Sequence, residues 1–113
     1  MIEINVKGNG PNSAKGDGST PGDGAKIEKA IAAALALAIT TGESSVSIVI
    51  PRGVYLTDKG LTVTLQPGVD LTIDSDFAVL VVAQNLGAEP LLKVDGPADA
   101  GVFMLQRLVL NAN

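Results

Sequence analysis

The chain has 113 residues, enough for one domain with one core, and a domain of this size buries roughly two-thirds of the surface its unfolded chain exposes. Its 8 basic and 12 acidic residues leave a net charge of −4 without any Lys/Arg cluster, so the electrostatic footprint of a nucleic-acid binder is missing. Cysteine and histidine are both absent, which excludes disulfides and thiolate metal sites and removes the commonest general base and transition-metal ligand; any catalysis would fall to carboxylates, Lys, Arg or Tyr.

Ile2, Ile4 and Val6 alternate with Glu3, Asn5 and Lys7, the period-2 pattern of a half-buried first strand. Residues 8–24 hold six glycines together with Pro11 and Pro21, too many breakers for a regular element, and read as a long surface loop. Within it, Lys15-Gly16-Asp17-Gly18 admits two readings. Glycine amides can converge on an anion and Asp17 can hold a hard cation, or the glycines simply supply the positive φ of a tight turn. The P-loop, Rossmann and EF-hand patterns are not present.

A helix follows over residues 25–42, with Asp23 as its expected N-cap and Gly42 as its stop. Ile27, Ile31, Ala34, Leu35 and Ala38 fall at i, i+4, i+7, i+8 and i+11 and form one apolar stripe. The opposite side carries Ala32, Ala33 and Ala36 with Leu37 near its edge, so the helix is apolar nearly all round and a second covering surface is expected. Residues 30–39 are too short an apolar run to span a bilayer, and 25 polar, Gly-rich residues before Lys26 do not resemble a signal peptide.

Short strands and turns fill residues 43–113. Residues 46–50 form a strand stopped by Pro51; Leu61, Val63 and Leu65, then Val69, Leu71 and Ile73, repeat one alternating unit across Gln66-Pro67-Gly68. Residues 77–82 make a longer apolar run, Gln84-Asn85-Leu86-Gly87 a turn, residues 91–94 a strand, and residues 102–105 and 108–110 two more. The spacing from Val69 to Leu91, about 22 residues, is close to one coil of a β solenoid. With 46% hydrophobic but only 3% aromatic residues, thin layers of stacked aliphatics are favoured, and a parallel β-helix fits; an eight-stranded sandwich or barrel is the alternative.

The carboxylate pairs Asp74/Asp76 and Asp95/Asp99 are the candidate catalytic residues, since glycoside hydrolysis needs two carboxylates at a set separation and a lyase needs a base, often with calcium nearby. Two residues apart, Asp74 and Asp76 would share one face of an extended strand; both pairs read equally as turn formers beside Ser75 and Gly96-Pro97. Asn111 and Asn113 would begin an amide ladder inside a coil or form a polar end. Tyr55 reads as a core or lid contact.

The order Ile4-Asn5-Val6, Lys15-Gly16-Asp17-Gly18-x-Thr20, a helix containing Ala30-Ile31, Val49-Ile50-Pro51-x-Gly53-x-Tyr55, Leu61-x-Val63 and Gly68-Val69-x-Leu71 resembles the N-terminal region of the pectate-lyase-like superfamily, over residues 2–73. The resemblance implies a mainly β fold, the first coils of a right-handed parallel β-helix with one N-terminal capping helix. Residues 1–24 would be its leading strand and loop. Gly16, Asp17, Gly18, Ile27, Ile31, Leu35, Pro51, Gly53 and Tyr55 would be its structural residues. It further implies a phage tailspike or polysaccharide depolymerase as parent, virion-associated or extracellular, and, by analogy with tailspikes, a homo-oligomer such as a trimer; read from the residues themselves, outward-facing apolar Val79, Val81 and Met104 would supply the self-association contacts. Polysaccharide and calcium would belong to that parent, because no residue here matches the family's catalytic or calcium-binding motifs. Pro21-Gly22-Asp23-Gly24 departs from the acidic pair and threonine with which the family usually starts the helix.

Overall fold

The computed structural model describes residues 1–8, 10, 13–83 and 89–111. Among these, one helix, α1 (Asp23–Thr41), is accompanied by the strands β1 (Ile2–Asn5), β2 (Ser45–Ile50), β3 (Val54–Thr57), β4 (Leu61–Thr64), β5 (Asp70–Ser75), β6 (Val79–Val82), β7 (Leu92–Asp95), β8 (Phe103–Gln106) and β9 (Val109–Asn111). The strands join into three sheets, in the orders β1-β2-β5-β8, β3-β6-β9 and β4-β7, and every named pair is parallel. The chain thus visits the three sheets in rotation, and each strand pairs with the one that follows a full round later. This mainly β arrangement with one helix is compatible with a parallel β-helix. A sandwich or an up-and-down barrel would need antiparallel hairpins, which the named pairs do not contain.

Register explains why the sequence is aliphatic and aromatic-poor. Ile2, Val46, Leu71 and Phe103 stack in one file, and Ile4, Ile48, Ile73 and Leu105 in the next. Tyr55, Leu80 and Leu110 form a file in the second sheet, Leu61 with Leu92 and Val63 with Val94 in the third. Strands lie about 4.8 Å apart, so each file places branched side chains directly on one another and closes a dry core. Leu71, Ile48 and Ile73 are essentially inaccessible.

Two expectations about the repeat are corrected. The triplets at Leu61 and at Leu71 are not stacked copies: the first lies in β4 and pairs with β7, the second in β5 between β2 and β8. Nor is the round about 22 residues, since Leu71 pairs back to Val46 and on to Phe103, rounds of roughly 25 and 32 residues. The apolar run at 77–82 also divides. β6 begins at Val79, while Phe77 sits in the turn before it, 56% exposed, at φ 55°. The expected turn at Gln84-Asn85-Leu86-Gly87 lies outside the described residues.

The helix buries Ile27, Ile31, Ala34, Leu35 and Ala38 against β1 to β4, as its 3.6-residue periodicity requires. It stops at Gly42, whose φ of 74° places it in the left-handed region, and the Glu43 N–H donates to Ala38 O at 2.9 Å. Its start differs from expectation: Gly22 is the N-cap residue, without a side-chain cap, and Asp23 is the first helical residue. The far side of the helix is uncovered in the single chain, with Leu37 47% and Ile39 53% exposed.

Candidate functional site

The leading segment and the helix together close one end of the stacked strands, sheet by sheet. β1 extends the first sheet beyond β2. In the second sheet the glycine loop does the same for β3, because Gly18 N–H donates to Val54 O at 2.8 Å and Val54 N–H to Gly16 O at 3.1 Å, with Asp17 bridged to Val54. α1 covers β4. On this side β2 and β3 thus have backbone partners, and β4 lies under the helix, where Thr62 N–H donates to Glu28 Oε2 at 2.7 Å, which is how a sheet avoids pairing with strangers.

Asp23 holds this closure together. Its side chain is fully buried, and its two carboxylate oxygens accept from the backbone of the loop, Lys15 N–H at 2.9 Å and Gly16 N–H at 2.8 Å. A carboxylate with two amide donors is the charge-assisted arrangement that makes a buried anion tolerable. The residue expected to cap the helix instead ties the helix start to the loop. Gly16 has φ 64°, and a Cβ there would lie 2.9 Å from Cζ of Tyr55, so the ring and the loop share one close approach. Gly53 repeats the device from the other side, since a Cβ on it would come within 2.7 Å of Gly16 O.

With these partners the loop is not an anion cradle. Gly16 N–H is used by Asp23 and Gly18 N–H by Val54, while Asp17 Oδ1 accepts from Ser19 N–H at 3.0 Å and Thr20 Oγ1–H at 2.9 Å. Those two donors, Ser19 first, hold the exposed Asp17 carboxyl below its ordinary value.

Tyr55 is buried under the loop and donates its hydroxyl to Pro51 O at 2.7 Å. Burial, and then the negative charge of Asp23, push its phenol up to about 12 from an ordinary 10. Between those values the unfolded phenol has released a proton that the folded one retains, so stability is full below pH 10 and falls as pH rises through 12. In urea titrations of the wild type and Tyr55→Phe, the wild-type midpoint is expected to drop more steeply across that window. Below it, the variant should be weaker by about 0.5–1.5 kcal/mol for the lost hydrogen bond.

Three of the four carboxylates in the two candidate pairs stand beside a cation. Asp74 on β5 faces Arg107, with Oδ1 3.3 Å from Nη2, and Asp76 in the next turn lies 3.7 Å from Arg52. Between them Ser75 points inward, and its Oγ accepts from Ala78 N–H at 2.9 Å. Asp95 ends β7 and lies 3.6 Å from Lys93; Asp99 stands in the following turn, where its backbone carbonyl accepts from Gly68 N–H. Among the described residues no three acids cluster as metal ligands. Asn111 pairs with Val81, a register that carries the outward residues of the sheet while Leu110 takes the inward file, so it does not begin an internal ladder; Asn113 lies outside the described residues.

One grouping was missed by sequence reasoning. Arg52, Phe77 and Arg107 occupy the same corner in three successive rounds, and both guanidiniums stand over the Phe77 ring, 5.8 and 5.9 Å from its centroid. Among the described residues, Phe77 and Arg107 are the non-glycine residues at positive φ, 55° and 53°. The ring and the paired Asp74 and Asp76 offset two positive charges along one edge, and exposed contacts of this kind are each worth about 0.5–1 kcal/mol. The signal was present as Arg52-Gly53-Val54, Phe77-Ala78-Val79 and Arg107-Leu108-Val109, each leading into a strand of the same sheet.

Comparison with protein-family models, with curated proteins and with solved structures gives no match for this chain.

Proposed function

We propose that this chain is the N-terminal cap and first coils of a right-handed parallel β-helix, belonging to a tailspike-like or polysaccharide-depolymerase-like protein. Its role is structural: it seals one end of the helix and presents the other end for further coils. One observation carries this reading, the contrast between the two ends. On the helix side the first-sheet files begin at half-buried Ile2 and Ile4, the second-sheet file at Tyr55, buried under the loop, and the third-sheet files at Leu61 and Val63, buried under α1. On the far side the same inward files end in Leu105, Leu110 and Val94, which are 36%, 41% and 37% exposed, whereas Ile73, Leu80 and Val63 one round earlier are nearly inaccessible. Solenoids gain stability from each added neighbour, and parallel crossovers within one sheet are right-handed for steric reasons. Host-glycan engagement, an extracellular or virion setting and any calcium belong in this reading to the parent, and self-association follows from the apolar surface left open.

Extension tests the architecture. A second copy of residues 82–111, which carries β7, β8 and β9, appended after Asn111 so that the third, first and second sheets each gain a strand in turn, should raise the urea unfolding free energy by about 2–3 kcal/mol, the worth of completing burial of those side chains. Its own strand amides should gain protection from hydrogen exchange. An appended segment that stays unprotected, with no gain in stability, overturns the β-helix reading. Turnover tests the role. The chain is expected to leave polygalacturonate and bacterial capsule polymers uncut with or without calcium; cleavage that disappears in Asp74→Asn/Asp76→Asn would replace a structural role with a small polysaccharide lyase or hydrolase.

A further inference from the structure

We propose that Asp95-Gly96 is a self-modification site: its aspartate closes onto the glycine amide and reopens as isoaspartate, while the fold holds the other Asp-Gly steps of the chain inert. It rests on steps of one composition that the structure treats differently, and not on the parent proposed above.

Asp17-Gly18, Asp23-Gly24 and Asp95-Gly96 are the three Asp-Gly steps of the sequence. Such a step is the most open to ring closure, because glycine has no Cβ to shield its amide nitrogen from the carboxyl carbon before it. In two of them the fold occupies the reacting groups. Asp23 is fully buried in the first turn of α1, both of its oxygens accept from loop amides, and Gly24 is packed against Thr57. Asp17 is exposed, but Ser19 N–H and Thr20 Oγ1–H hold its carboxylate, and Gly18 N–H donates to Val54 O at 2.8 Å. Reaction at either waits for local or global opening, which only a small fraction of molecules shows at any moment.

Neither reacting group of Asp95-Gly96 is so held. Asp95 ends β7 with its side chain 53% exposed, and its ion-pair partner, Lys93 at 3.6 Å, is exposed as well, a contact too weak to fix a carboxylate. Gly96 lies just past the strand and is exposed. Leu61 N–H donates to Leu91 O and Leu65 N–H to Asp95 O, so alternate residues of β7 turn their backbone groups to β4, which places Gly96 N–H on the open edge of the third sheet. No acceptor for it occurs among the described residues. The amide nitrogen bonds to Asp95 Cγ as the protonated carboxyl gives up its hydroxyl, and that hydroxyl leaves with the amide proton as water. Water then adds to the main-chain carbonyl of the cyclic imide and breaks its bond to Gly96 N. The chain now runs through Cβ and Cγ, and the carbonyl that accepted from Leu65 N–H at 2.7 Å has become a free carboxylate. Gly96 packs so near Leu65 that a Cβ on it would lie 2.9 Å from Leu65 Cβ, so the lengthened link also displaces this corner.

Peptide mapping of the full chain, incubated folded and in parallel unfolded in urea, tests the site, with isoaspartate quantified at each step by enzymatic methylation of its carboxylate. In the folded chain, product at residue 95 is expected to build up roughly tenfold or more faster than at 17 or 23, whereas in urea the three rates should converge. Deamidation at Asn9-Gly10 is told apart by its mass gain, since isomerisation leaves the mass unchanged; Asn9 itself lies outside the described residues. Asp95→Asn offers the same nitrogen an amide, from which ammonia leaves, and should convert faster to the same product. Asp95→Glu needs a larger ring and should give none. The converted chain should lose hydrogen-exchange protection at Leu65 and Gly68 and keep it at Gly16 and Gly18. Equal rates at the three steps in the folded chain, no product at 95 unless urea is present, or an Asp95→Asn chain that keeps its amide while folded each overturns the proposal.

Discussion

Asp23→Ala is expected to lower the unfolding free energy by about 3–5 kcal/mol, among the largest effects of any polar substitution in the chain. The carboxylate is fully buried and is the acceptor for two loop amides, at 2.9 and 2.8 Å. Hydrogen bonds to a charged group are each worth about 1.5–3 kcal/mol, and truncation takes the shared acceptor from the part-buried bonds of Lys15 N–H and Gly16 N–H. Asp23→Asn keeps the shape and one acceptor oxygen but turns an NH2 toward the second amide, so a loss of about 1.5–3 kcal/mol is expected there. Urea denaturation measures both. Hydrogen exchange locates the damage: the amides of Lys15, Gly16, Gly18 and Val54 should lose protection first, since the loop joins β3 only while Asp23 holds it. A second readout is tied to the same charge. Without it, the Tyr55 phenol should titrate below about 12, followed by tyrosinate absorbance, while burial still keeps it above 10. A variant as stable as the wild type, with those amides still protected, would show that the loop docks without this carboxylate.

That dependence was hidden in the sequence for a physical reason. An acid followed by a glycine ahead of an apolar-periodic run is the local signature of an N-cap, and local signatures carry no information about partners eight residues back. The stripe Ile27, Ile31, Ala34, Leu35 and Ala38 was legible because helical burial is set by periodicity alone. The alternating strands were legible for the same reason. The rounds were not, since two alternating triplets divided by Gln66-Pro67-Gly68 look alike whether the chain turns back or turns a corner into a new sheet. Only pairing distinguishes them, and it joins β4 to β7 and β5 to β8. Phe77 was misread because apolar character next to Ala78 and Val79 suggests a core strand. Its positive φ, which turns the ring outward between two guanidiniums, has no compositional trace. The carboxylates were legible as residue types but not as partners: Asp74 and Asp76 neighbour each other in sequence yet serve arginines from different rounds.

The second large effect is steric and lies one residue further on. Gly24, in the first turn of α1, packs so closely on β3 that an added Cβ would fall on Cβ and Oγ1 of Thr57, with the Thr57 Cα only 3.1 Å away. Thr57 cannot retreat: it is fully buried in an inward position of β3, its hydroxyl donates to Lys59 O at 2.6 Å, and the next round packs behind it through Val82. Interiors this dense answer an added methyl by moving backbone, at about 1–3 kcal/mol in ordinary cores, and a struck Cβ moves only with its own main chain. Helix propensity pulls the other way by about 1 kcal/mol in favour of alanine. The clash outweighs it, and Gly24→Ala is expected to destabilise by about 3 kcal/mol, whereas the same change at exposed Gly22, where a Cβ would meet nothing within 4 Å, should cost little. Thr57→Gly removes both clashing atoms, so Gly24→Ala/Thr57→Gly should lie well above the sum of the two single losses, a coupling of about 1–3 kcal/mol in a double-mutant cycle. Additive losses would mean that the helix start and β3 are not in the contact that closes this end of the stack.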